Sequence, residues 1–373
     1  MGKSIESGVY SLIMAGGTER ELWPMSRSGM LKPFLDLFGD GPMIQNTIRR
    51  AARIARMEHV LVVTDGRGRD MLLASGVIID PENIIVEPYA RGTATCIALG
   101  AAHVRKRDPD GVLVVMPSDH VILDEDAFQG ILHAAIGEAR RMESLVTIGI
   151  RPKSPEIVYG YIQAGEVLER PDAGDEGKGV TLYRVRIFAE KPDLATAIRF
   201  LESRDFYWNS GIFAADVETL FEAYRRCLPD LYRDMLSVHD AIGTRKEELV
   251  VSALYSWSHP ASIDMAIMEK TGDIVLLTGE FGWHDPGSWD EVAALITERT
   301  VFSGEVGVPG VVAVGAENNF VIKPGGKVVA VVGASELIII DTPDALLVCG
   351  REASYRVGEA VHLLRREGFE EHL

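Results

Sequence analysis

Glycine and lysine residues follow the first apolar run of this chain in an order that suits phosphate binding. The run from Val9 to Ala15 ends in Gly16 and Gly17, and a polar loop then leads to Lys32. A glycine pair after a buried strand lets backbone N–H groups approach a ligand, and basic side chains behind such a loop favour a phosphate. A simple turn is the alternative interpretation, because the loop matches neither the Walker nor the GxGxxG pattern.

Two further segments place acidic residues directly after apolar runs. Asp119 follows the run Val112 to Met116, where a carboxylate is a suitable oxygen ligand for Mg²⁺; a turn or a helix cap is the alternative. Glu87 follows the run Ile84 to Val86 and leads to the start of a predicted helix at Thr93. Capping of that helix by Thr93 competes with a ligand-binding role for this segment.

Three later motifs contain residues that suit either ligand binding or ordinary structural roles. Gly160 lies between two tyrosines, where glycine marks either close approach of a ligand or a bulge. Glu190 and Lys191 end a predicted strand, although an exposed ion pair is the usual meaning of such a pair. Asn209 lies in an otherwise apolar run and needs a hydrogen-bond partner, either a sugar or neighbouring backbone.

The elements that must position these residues alternate along the chain. Strands that alternate with helices predict βαβ units and a doubly wound, mainly parallel but mixed sheet of Rossmann-like type, with ligands bound at the carboxyl ends of the strands. Apolar runs predict strands at residues 9–15, 60–64, 84–86, 112–116 and 145–150. Periodicity near 3.6 predicts helices at residues 42–57, 93–106, 124–141, 194–203, 217–227, 247–254, 263–271, 289–299 and 353–366.

The pattern of apolar residues changes after the predicted helix at 289–299. From Val301 to Val348 short valine and isoleucine runs alternate with glycine, proline and asparagine, which predicts short strands with tight turns. We therefore expect a large α/β domain over residues 1–299 and a small β domain with a terminal helix over residues 300–373.

Composition restricts the class of protein. Apolar residues make up 47% of the chain and charged residues 25%, as in ordinary globular proteins. Asp plus Glu outnumber Lys plus Arg by 55 to 38, a net charge of −17, which argues against general nucleic-acid binding. The three cysteines are far apart and no apolar run approaches 18 residues, so we expect a cytoplasmic protein with no membrane partner.

The motif around the glycine pair resembles a known family. The pattern AGG-x4-LWP-x-SR-x4-K, from Ala15 to Lys32, is similar to the signature of sugar-nucleotide pyrophosphorylases, and LWP followed by SR resembles mannose-1-phosphate guanylyltransferase. That family converts GTP and mannose 1-phosphate to GDP-mannose and pyrophosphate. The resemblance also implies a left-handed β-helix-like C-terminal domain, Mg²⁺ as the cofactor and a homodimer.

The resemblance assigns roles to the candidate residues. It implies nucleotide binding by Ala15, Gly16, Gly17, Glu87, Arg91, Thr93 and Asp119. It implies sugar binding by Gly160, Glu190, Lys191 and Asn209, and catalytic cations at Arg20, Lys32 and Lys191. Asp285, in the segment FGWHDPGSW, aligns with a second metal-binding aspartate of the family beside Asp119.

The signature loop departs from the family pattern, which reads AGGSGTRLWP. Glu19 and Glu21 stand where the family has glycine and arginine, and Arg20 is displaced by one position. A carboxylate at the arginine position would repel a triphosphate. Two alternatives therefore stay open: a weak or inactive paralogue that binds a sugar nucleotide as a regulatory partner, and the same reaction on another sugar 1-phosphate or nucleotide. A smaller departure is Gly92, where the family has asparagine.

Overall fold

The computed structural model describes residues 8–17, 20–169, 180–301, 310–323 and 326–373 of the chain, so Glu19 lies outside the described residues. The chain divides into two compact units. The first unit comprises Met1–Gly16 and Thr47–His284, and the second comprises Gly17–Asn46 and Asp285–Leu373. Most of the signature loop therefore belongs to the same unit as the C-terminal strands. The domain boundary at residues 299 and 300 stays a prediction.

The described strands and helices follow the alternation that the sequence predicts. The strands are β1 (Val9–Met14), β2 (Val60–Thr64), β3 (Ile84–Val86), β4 (Val112–Pro117), β5 (Val121–Ile122), β6 (Leu145–Ile150), β7 (Tyr161–Glu169), β8 (Thr181–Ala189), β9 (Phe206–Asp216), β10 (Ile274–Thr278), β11 (Trp283–His284), β12 (Val311–Val314), β13 (Phe320–Ile322), β14 (Val329–Val332), β15 (Leu337–Asp341) and β16 (Leu346–Gly350). The α-helices are α1 (Met43–Ala51), α2 (Gly66–Ala74), α3 (Gly92–Arg107), α4 (Glu125–Met142), α5 (Leu194–Ser203), α6 (Val217–Cys227), α7 (Pro229–Ala241), α8 (Glu247–Trp257), α9 (Trp289–Val301) and α10 (Val357–Arg366).

Within the described ranges, the first unit is built on a mixed nine-stranded sheet. Its strand order is β3-β2-β1-β4-β9-β6-β10-β8-β7, and β7 also pairs with β9. The pairs β3–β2, β2–β1 and β1–β4 are parallel, as is β6–β10, whereas β9 runs antiparallel to both β4 and β6. The runs of β1, β2, β4 and β6 are buried on both faces, which explains why they are almost continuously apolar. The expected α/β fold is confirmed.

The second unit has its own core and short parallel strands. Strand β12 pairs with β14 and β13 with β15, both in parallel, and β16 runs antiparallel to β15. Parallel pairing of short strands so close in sequence is what successive coils of a β-helix produce. The buried side chains of this core come from the signature loop, from the segment after it up to the start of α1, from α9 and α10, and from the strands: Leu22, Trp23, Leu35, Leu37, Met43, Trp289, Val292, Ile338, Ile340, Leu347, Val357 and Val361.

Several helical segments differ from the sequence expectation, and one of them is α2, Gly66–Ala74, where we predicted no helix. Helix α7 occupies Pro229–Ala241, where we predicted none, although a proline at the first helical position is a helix-start signal. The expected helix at 263–271 is a short π-helical turn, Asp264–Met268. The helix predicted from 42 to 57 ends at Ala51.

None of the described helices is both long and apolar enough to cross a bilayer.

Trp289 provides a test of the second unit's core. Its indole is fully buried, and Nε1 donates a hydrogen bond of 2.8 Å to the backbone oxygen of Trp23 in the signature loop. Trp289→Phe leaves that oxygen without its donor and opens a small cavity, so we expect the free energy of unfolding to fall by about 2–3 kcal/mol. Urea titration followed by far-UV circular dichroism measures this loss. Trp257→Phe is the matched control, because Trp257 is 81% exposed; an equal loss in both variants would contradict the prediction.

Candidate active site

The glycine pair and Glu87 meet at the carboxyl ends of neighbouring strands. The Ala15 oxygen accepts a hydrogen bond of 2.7 Å from the Thr64 hydroxyl, and the Glu87 amide donates to the Thr64 oxygen at 2.8 Å. A Cβ atom at Gly16 would lie 2.4 Å from Oε1 of Glu87. The Glu87 carboxyl group therefore occupies the space that any larger residue at position 16 would need, and Gly17 continues the loop with a φ of +120°.

Glu87 is a buried acid that is hydrogen-bonded to a tyrosine hydroxyl. It is 3% exposed, and the hydroxyl of the buried Tyr255 donates a hydrogen bond of 3.0 Å to its Oε2. Burial raises the pKa of Glu87 to about 7; the Tyr255 hydrogen bond opposes this shift and the nearby Asp65 adds to it. Burial also raises the pKa of Tyr255, so its hydroxyl stays the proton donor in this pair.

The segment after Glu87 holds residues 255–263 by backbone contacts. Arg91 Nε donates to the Tyr255 oxygen at 2.9 Å, and the Thr93 hydroxyl accepts from the Ile263 amide at 2.8 Å. Thr93 therefore does not cap its own helix, which begins after Arg91 without a side-chain cap. Gly92 has a φ of +80°, and a Cβ there would lie 2.3 Å from the Ala261 oxygen. This close approach explains why glycine replaces the asparagine of the family pattern.

Asp119 lies on a short loop whose backbone is held on several sides. The Thr47 hydroxyl donates to the Ser118 oxygen at 3.0 Å, and Arg50 Nη2 donates to the His120 oxygen at 3.0 Å. The indole of Trp283 donates to His120 Nδ1 at 3.1 Å, so His120 has a structural contact. The loop therefore presents Asp119, 8% exposed, at a defined position at the end of β4.

The structure brings together the four residues that the resemblance assigns to the sugar; we name Gly160, Glu190, Lys191 and Asn209 the polar cluster. The Asn209 backbone amide donates to the Gly160 oxygen at 2.8 Å. A Cβ at Gly160 would lie 2.7 Å from Glu190 Oε2 and 3.4 Å from the Asn209 Cβ. Any larger residue at position 160 would therefore collide with the Glu190 side chain and crowd the Asn209 side chain.

Lys191 has a strained backbone at the edge of the polar cluster. Its φ is +45°, a conformation that non-glycine residues seldom adopt outside turns and functional sites. Its ammonium lies 3.5 Å from Glu190 Oε1, and its side chain is 62% exposed. An exposed cation on a fixed backbone is suited to meet an anionic ligand. The nearby carboxylate partly compensates its charge.

One acid that contacts the polar cluster, Asp264, was not predicted from the sequence. Asp264 Oδ1 accepts a hydrogen bond of 2.8 Å from Asn209 Nδ2. Burial raises the pKa of Asp264, against the lowering effects of Asn209 and Lys191, and burial together with Asp264 raises the pKa of Glu190. The available signal was an acid among apolar residues in SIDMAIM, which we interpreted as part of a regular helix.

The second unit contains the remaining predicted residues. Lys32 is 4% exposed, and its ammonium lies 3.3 Å from Oδ1 of Asp285. Arg20 Nη1 lies 3.4 Å from His362 Nδ1, and the Arg20 amide donates to Glu21 Oε2 at 2.8 Å. The Glu21 carboxylate thus turns back onto the loop backbone, and the Arg20 side chain is directed towards the terminal helix.

The donor chemistry of the two predicted metal ligands suits a hard cation. Asp119 and Asp285 each offer carboxylate oxygens, and the ion pair with Lys32 uses one of the several acceptor positions on Asp285. No group of three or more His, Cys, Asp and Glu side chains in the described part of the chain is arranged to hold a metal ion. Mg²⁺ commonly takes one or two protein carboxylates and completes its shell with substrate phosphates and water.

Family models match almost all of the described chain. The model described as nucleotidyl transferase matches residues 10–299. The chain belongs to the nucleotidyl transferase family. A second model, described as a MannoseP isomerase/GMP-like beta-helix domain, matches residues 310–364, in agreement with the parallel strands of the second unit.

Curated relatives of this nucleotidyl transferase align along nearly its whole length. It is 34% identical to the mannose-1-phosphate guanylyltransferase of Escherichia coli K12 over 98% of the chain and 76% of that protein. It is 35% identical to the xanthan biosynthesis protein XanB of Xanthomonas campestris over 97% of the chain and 74% of that protein. The family resemblance of the signature loop is therefore confirmed.

A solved structure shares the fold. The chain superposes with a TM-score of 0.78 and 30% identity on a protein of Thermus thermophilus described as a mannose-1-phosphate geranyltransferase, covering 96% of this chain and 99% of that one. Both units are included in this likeness. The roles of the individual site residues stay predictions.

The raised pKa of Glu87 predicts a pH-dependent stability. The carboxyl group titrates near 4.5 when unfolded and near 7 when folded, so the folded chain binds more protons between these values. The stability that protonated Glu87 contributes is complete below about pH 4.5 and lost as the pH rises through about 7. Glu87→Gln removes this titration. We expect its free energy of unfolding relative to the unsubstituted protein to rise by about 3 kcal/mol between pH 4.5 and 8.

Urea titrations of both proteins at several pH values measure this difference, because other titrating groups cancel between them. Glu82→Gln is the control, since Glu82 is exposed on the turn before β3. A pH-independent difference between Glu87→Gln and the unsubstituted protein would contradict the prediction.

Proposed function

We propose that this chain is a mannose-1-phosphate guanylyltransferase, which converts GTP and mannose 1-phosphate to GDP-mannose and pyrophosphate. The observation that supports this most directly is the polar cluster, in which a glycine, a carboxylate, an amide and an ammonium from three separate segments come together. Relatives with this name are 34% identical over nearly the whole chain. A partly buried and locally charged cluster of this kind suits a hydroxylated, anionic ligand.

The reaction is an in-line displacement at phosphorus. An oxygen of the sugar phosphate forms a bond to the α-phosphorus of GTP, and the bond to the bridging oxygen of pyrophosphate breaks. The attacking oxygen is already anionic at neutral pH, so no general base is required. The protein then contributes positioning and neutralisation of charge, which account for most catalysis of phosphoryl and nucleotidyl transfer.

For the nucleotide, backbone groups of Ala15, Gly16 and Gly17 approach the phosphates, and the Lys32 ammonium provides the positive charge. Glu87 supplies two adjacent carboxylate oxygens at the strand end. Guanine presents adjacent N1–H and N2–H₂ donors, which match these acceptors, whereas adenine presents no such pair. The contacts of Arg91 and Thr93 with residues 255–263 support Glu87 through Tyr255.

For the sugar phosphate, Lys191 binds the phosphate and the other members of the polar cluster bind the ring. Glu190 accepts hydrogen bonds from hydroxyl groups, and the absence of a side chain at Gly160 lets the ring approach the backbone. Asn209 Nδ2 donates one of its two hydrogens to Asp264, and the other is the donor proposed for the ring.

We assign Mg²⁺ as the cofactor, with Asp119 and Asp285 as its proposed protein ligands. When bound, the ion supplies neutralisation of charge on the phosphate oxygens. Lys32, through its ion pair with Asp285, holds that carboxylate in place. The proposal places the activity in the cytoplasm, in keeping with three widely separated cysteines, and includes assembly as a homodimer, as the family resemblance implies.

Nucleotide selectivity tests this function directly. Purified protein is incubated with Mg²⁺, mannose 1-phosphate and each of the four NTPs in turn, and pyrophosphate release is measured. We expect release with GTP at least roughly tenfold faster than with the other three, because only guanine presents the adjacent N1–H and N2–H₂ donors that match the Glu87 carboxylate in this proposal. Equal rates with all NTPs would contradict the guanine assignment, and no release with any of them would contradict the enzyme.

The departure at Glu21 generates a separate prediction. Glu21→Arg restores the cation of the family pattern and removes a carboxylate from the signature loop. We expect kcat/KM for GTP to rise by roughly tenfold or more, since a preorganised cation near the reacting phosphates contributes about 2–4 kcal/mol to transition-state stabilisation. Steady-state pyrophosphate release measures the change, with Glu58→Arg as a control of equal charge change at an exposed position. A loss of activity would show that Arg20 already fills the role and depends on Glu21.

A further inference from the structure

Asp264 is a second acid beside the polar cluster that neither the signature motifs nor the family pattern quoted above includes. It begins the π-helical turn Asp264–Met268, a conformation found mostly at functional sites. The carboxylate is partly buried and accepts from Asn209 Nδ2 at 2.8 Å. It therefore lies within one hydrogen bond of a proposed sugar-binding side chain.

The contact with Asp264 fixes the orientation of the Asn209 carboxamide. With Nδ2 directed to Asp264, Oδ1 faces the Gly211 amide at 3.2 Å and the Thr147 hydroxyl at 3.4 Å. A reversed amide would place NH₂ against the Gly211 N–H and oxygen against oxygen at Asp264, so both contacts would be lost. Asp264 thus determines which group of Asn209 is directed towards a ligand.

Contacts with the start of helix α3 hold the residues just before Asp264 in place. The Thr93 hydroxyl accepts from the Ile263 amide at 2.8 Å, and the Ala94 amide donates to the Ala261 oxygen at 3.1 Å. Ile263 and Ala261, which make these contacts, precede Asp264 by one and three residues. The start of helix α3 therefore positions the carboxylate.

The charges of Glu190, Lys191 and Asp264 indicate how a hexose 1-phosphate is oriented at the polar cluster. Glu190 and Asp264 are two carboxylates close enough for Asp264 to shift the titration of Glu190, and Lys191 is a cation that acts on both. A phosphate dianion is repelled by the two carboxylates and attracted by Lys191. Hydroxyl groups, by contrast, donate well to carboxylates in charge-assisted hydrogen bonds. The phosphate end of a hexose 1-phosphate therefore faces Lys191 and its hydroxyl-bearing face meets the acids.

We propose that Asp264 is a specificity-determining residue that accepts a hydrogen bond from a ring hydroxyl of the hexose 1-phosphate and orients Asn209 for a second one. This proposal rests on the proposed function, since it concerns the sugar half of the same site. The two roles are separable in the variant Asp264→Asn. Its new side chain still accepts from Asn209 through an amide oxygen but no longer carries an anionic acceptor.

The test compares Asp264→Asn, Asp264→Ala and the control Glu269→Gln. Glu269 is an exposed acid one residue beyond the same turn, so its replacement removes a nearby charge without removing the contact to Asn209. For Asp264→Asn we expect the KM for mannose 1-phosphate to rise roughly 10- to 100-fold, with the KM for GTP changed less than about twofold. Selectivity for mannose 1-phosphate over glucose 1-phosphate should fall as well. The control should keep the KM values of the unsubstituted protein.

Asp264→Ala should raise the sugar KM further, because Asn209 then also loses its orientation. Combined with Asn209→Ala, it should show effects that do not multiply, since both changes remove one interaction. If Asp264→Asn leaves the sugar KM and the selectivity unchanged while the unsubstituted protein is active, the proposal is overturned and the proposed function stands.

Calorimetric titration with mannose 1-phosphate and glucose 1-phosphate makes the test independent of turnover. If the unsubstituted protein shows no turnover but binds the sugar phosphate, the proposed function fails; a roughly tenfold or greater loss of affinity in Asp264→Asn then still supports the role of Asp264. If the unsubstituted protein binds neither sugar phosphate, both proposals fail. Circular dichroism confirms that each variant is folded.

Discussion

The hydrogen bond from Asn209 to Asp264 joins two side chains of the first unit that are 55 residues apart in the sequence. Asp264 ends the 255–264 segment, whose other end lies at Tyr255, the partner of Glu87. This segment therefore touches the proposed nucleotide side through Tyr255 and the proposed sugar side through Asp264. Buried polar groups require partners, so each end constrains the position of the other. The geometry of the proposed nucleotide side and of the proposed sugar side therefore depends on residues 255–264.

Positive charge is placed locally in a chain whose net charge is −17. Lys32 lies beside Asp285 and Lys191 beside Glu190, so each proposed phosphate-binding cation already has an acidic neighbour. The neighbour holds the cation at a defined position and tempers its charge before an anionic ligand arrives. An acidic chain thus contains one buried and one exposed cation, and a nearby carboxylate partly compensates the charge of each.

The two departures from the family pattern have different physical contexts. Gly92 replaces asparagine where the Ala261 oxygen approaches too closely for any Cβ, so the backbone contact and the glycine occur together. Glu21 is different, because its carboxylate bonds to the amide of its own neighbour Arg20 and this local contact does not depend on close packing. The first departure is therefore part of how the site is built. The second changes the charge of the signature loop, and Glu19, the other acid of that loop, lies outside the described residues.

The sequence by itself determined the α/β class, five strands of the first unit and the residue types of the site, because buried strands, glycine pairs and strand-end acids leave local patterns. The strands at 60–64, 84–86 and 145–150 and the helices at 194–203 and 217–227 have the predicted bounds. Tertiary structure alone decided that Asp264 contacts Asn209, that Tyr255 supports Glu87, and that most of the signature loop joins the C-terminal unit. The physical reason is that these contacts join residues distant in sequence. The local pattern around a π-helical turn or a buried tyrosine hydroxyl does not indicate which residue it contacts.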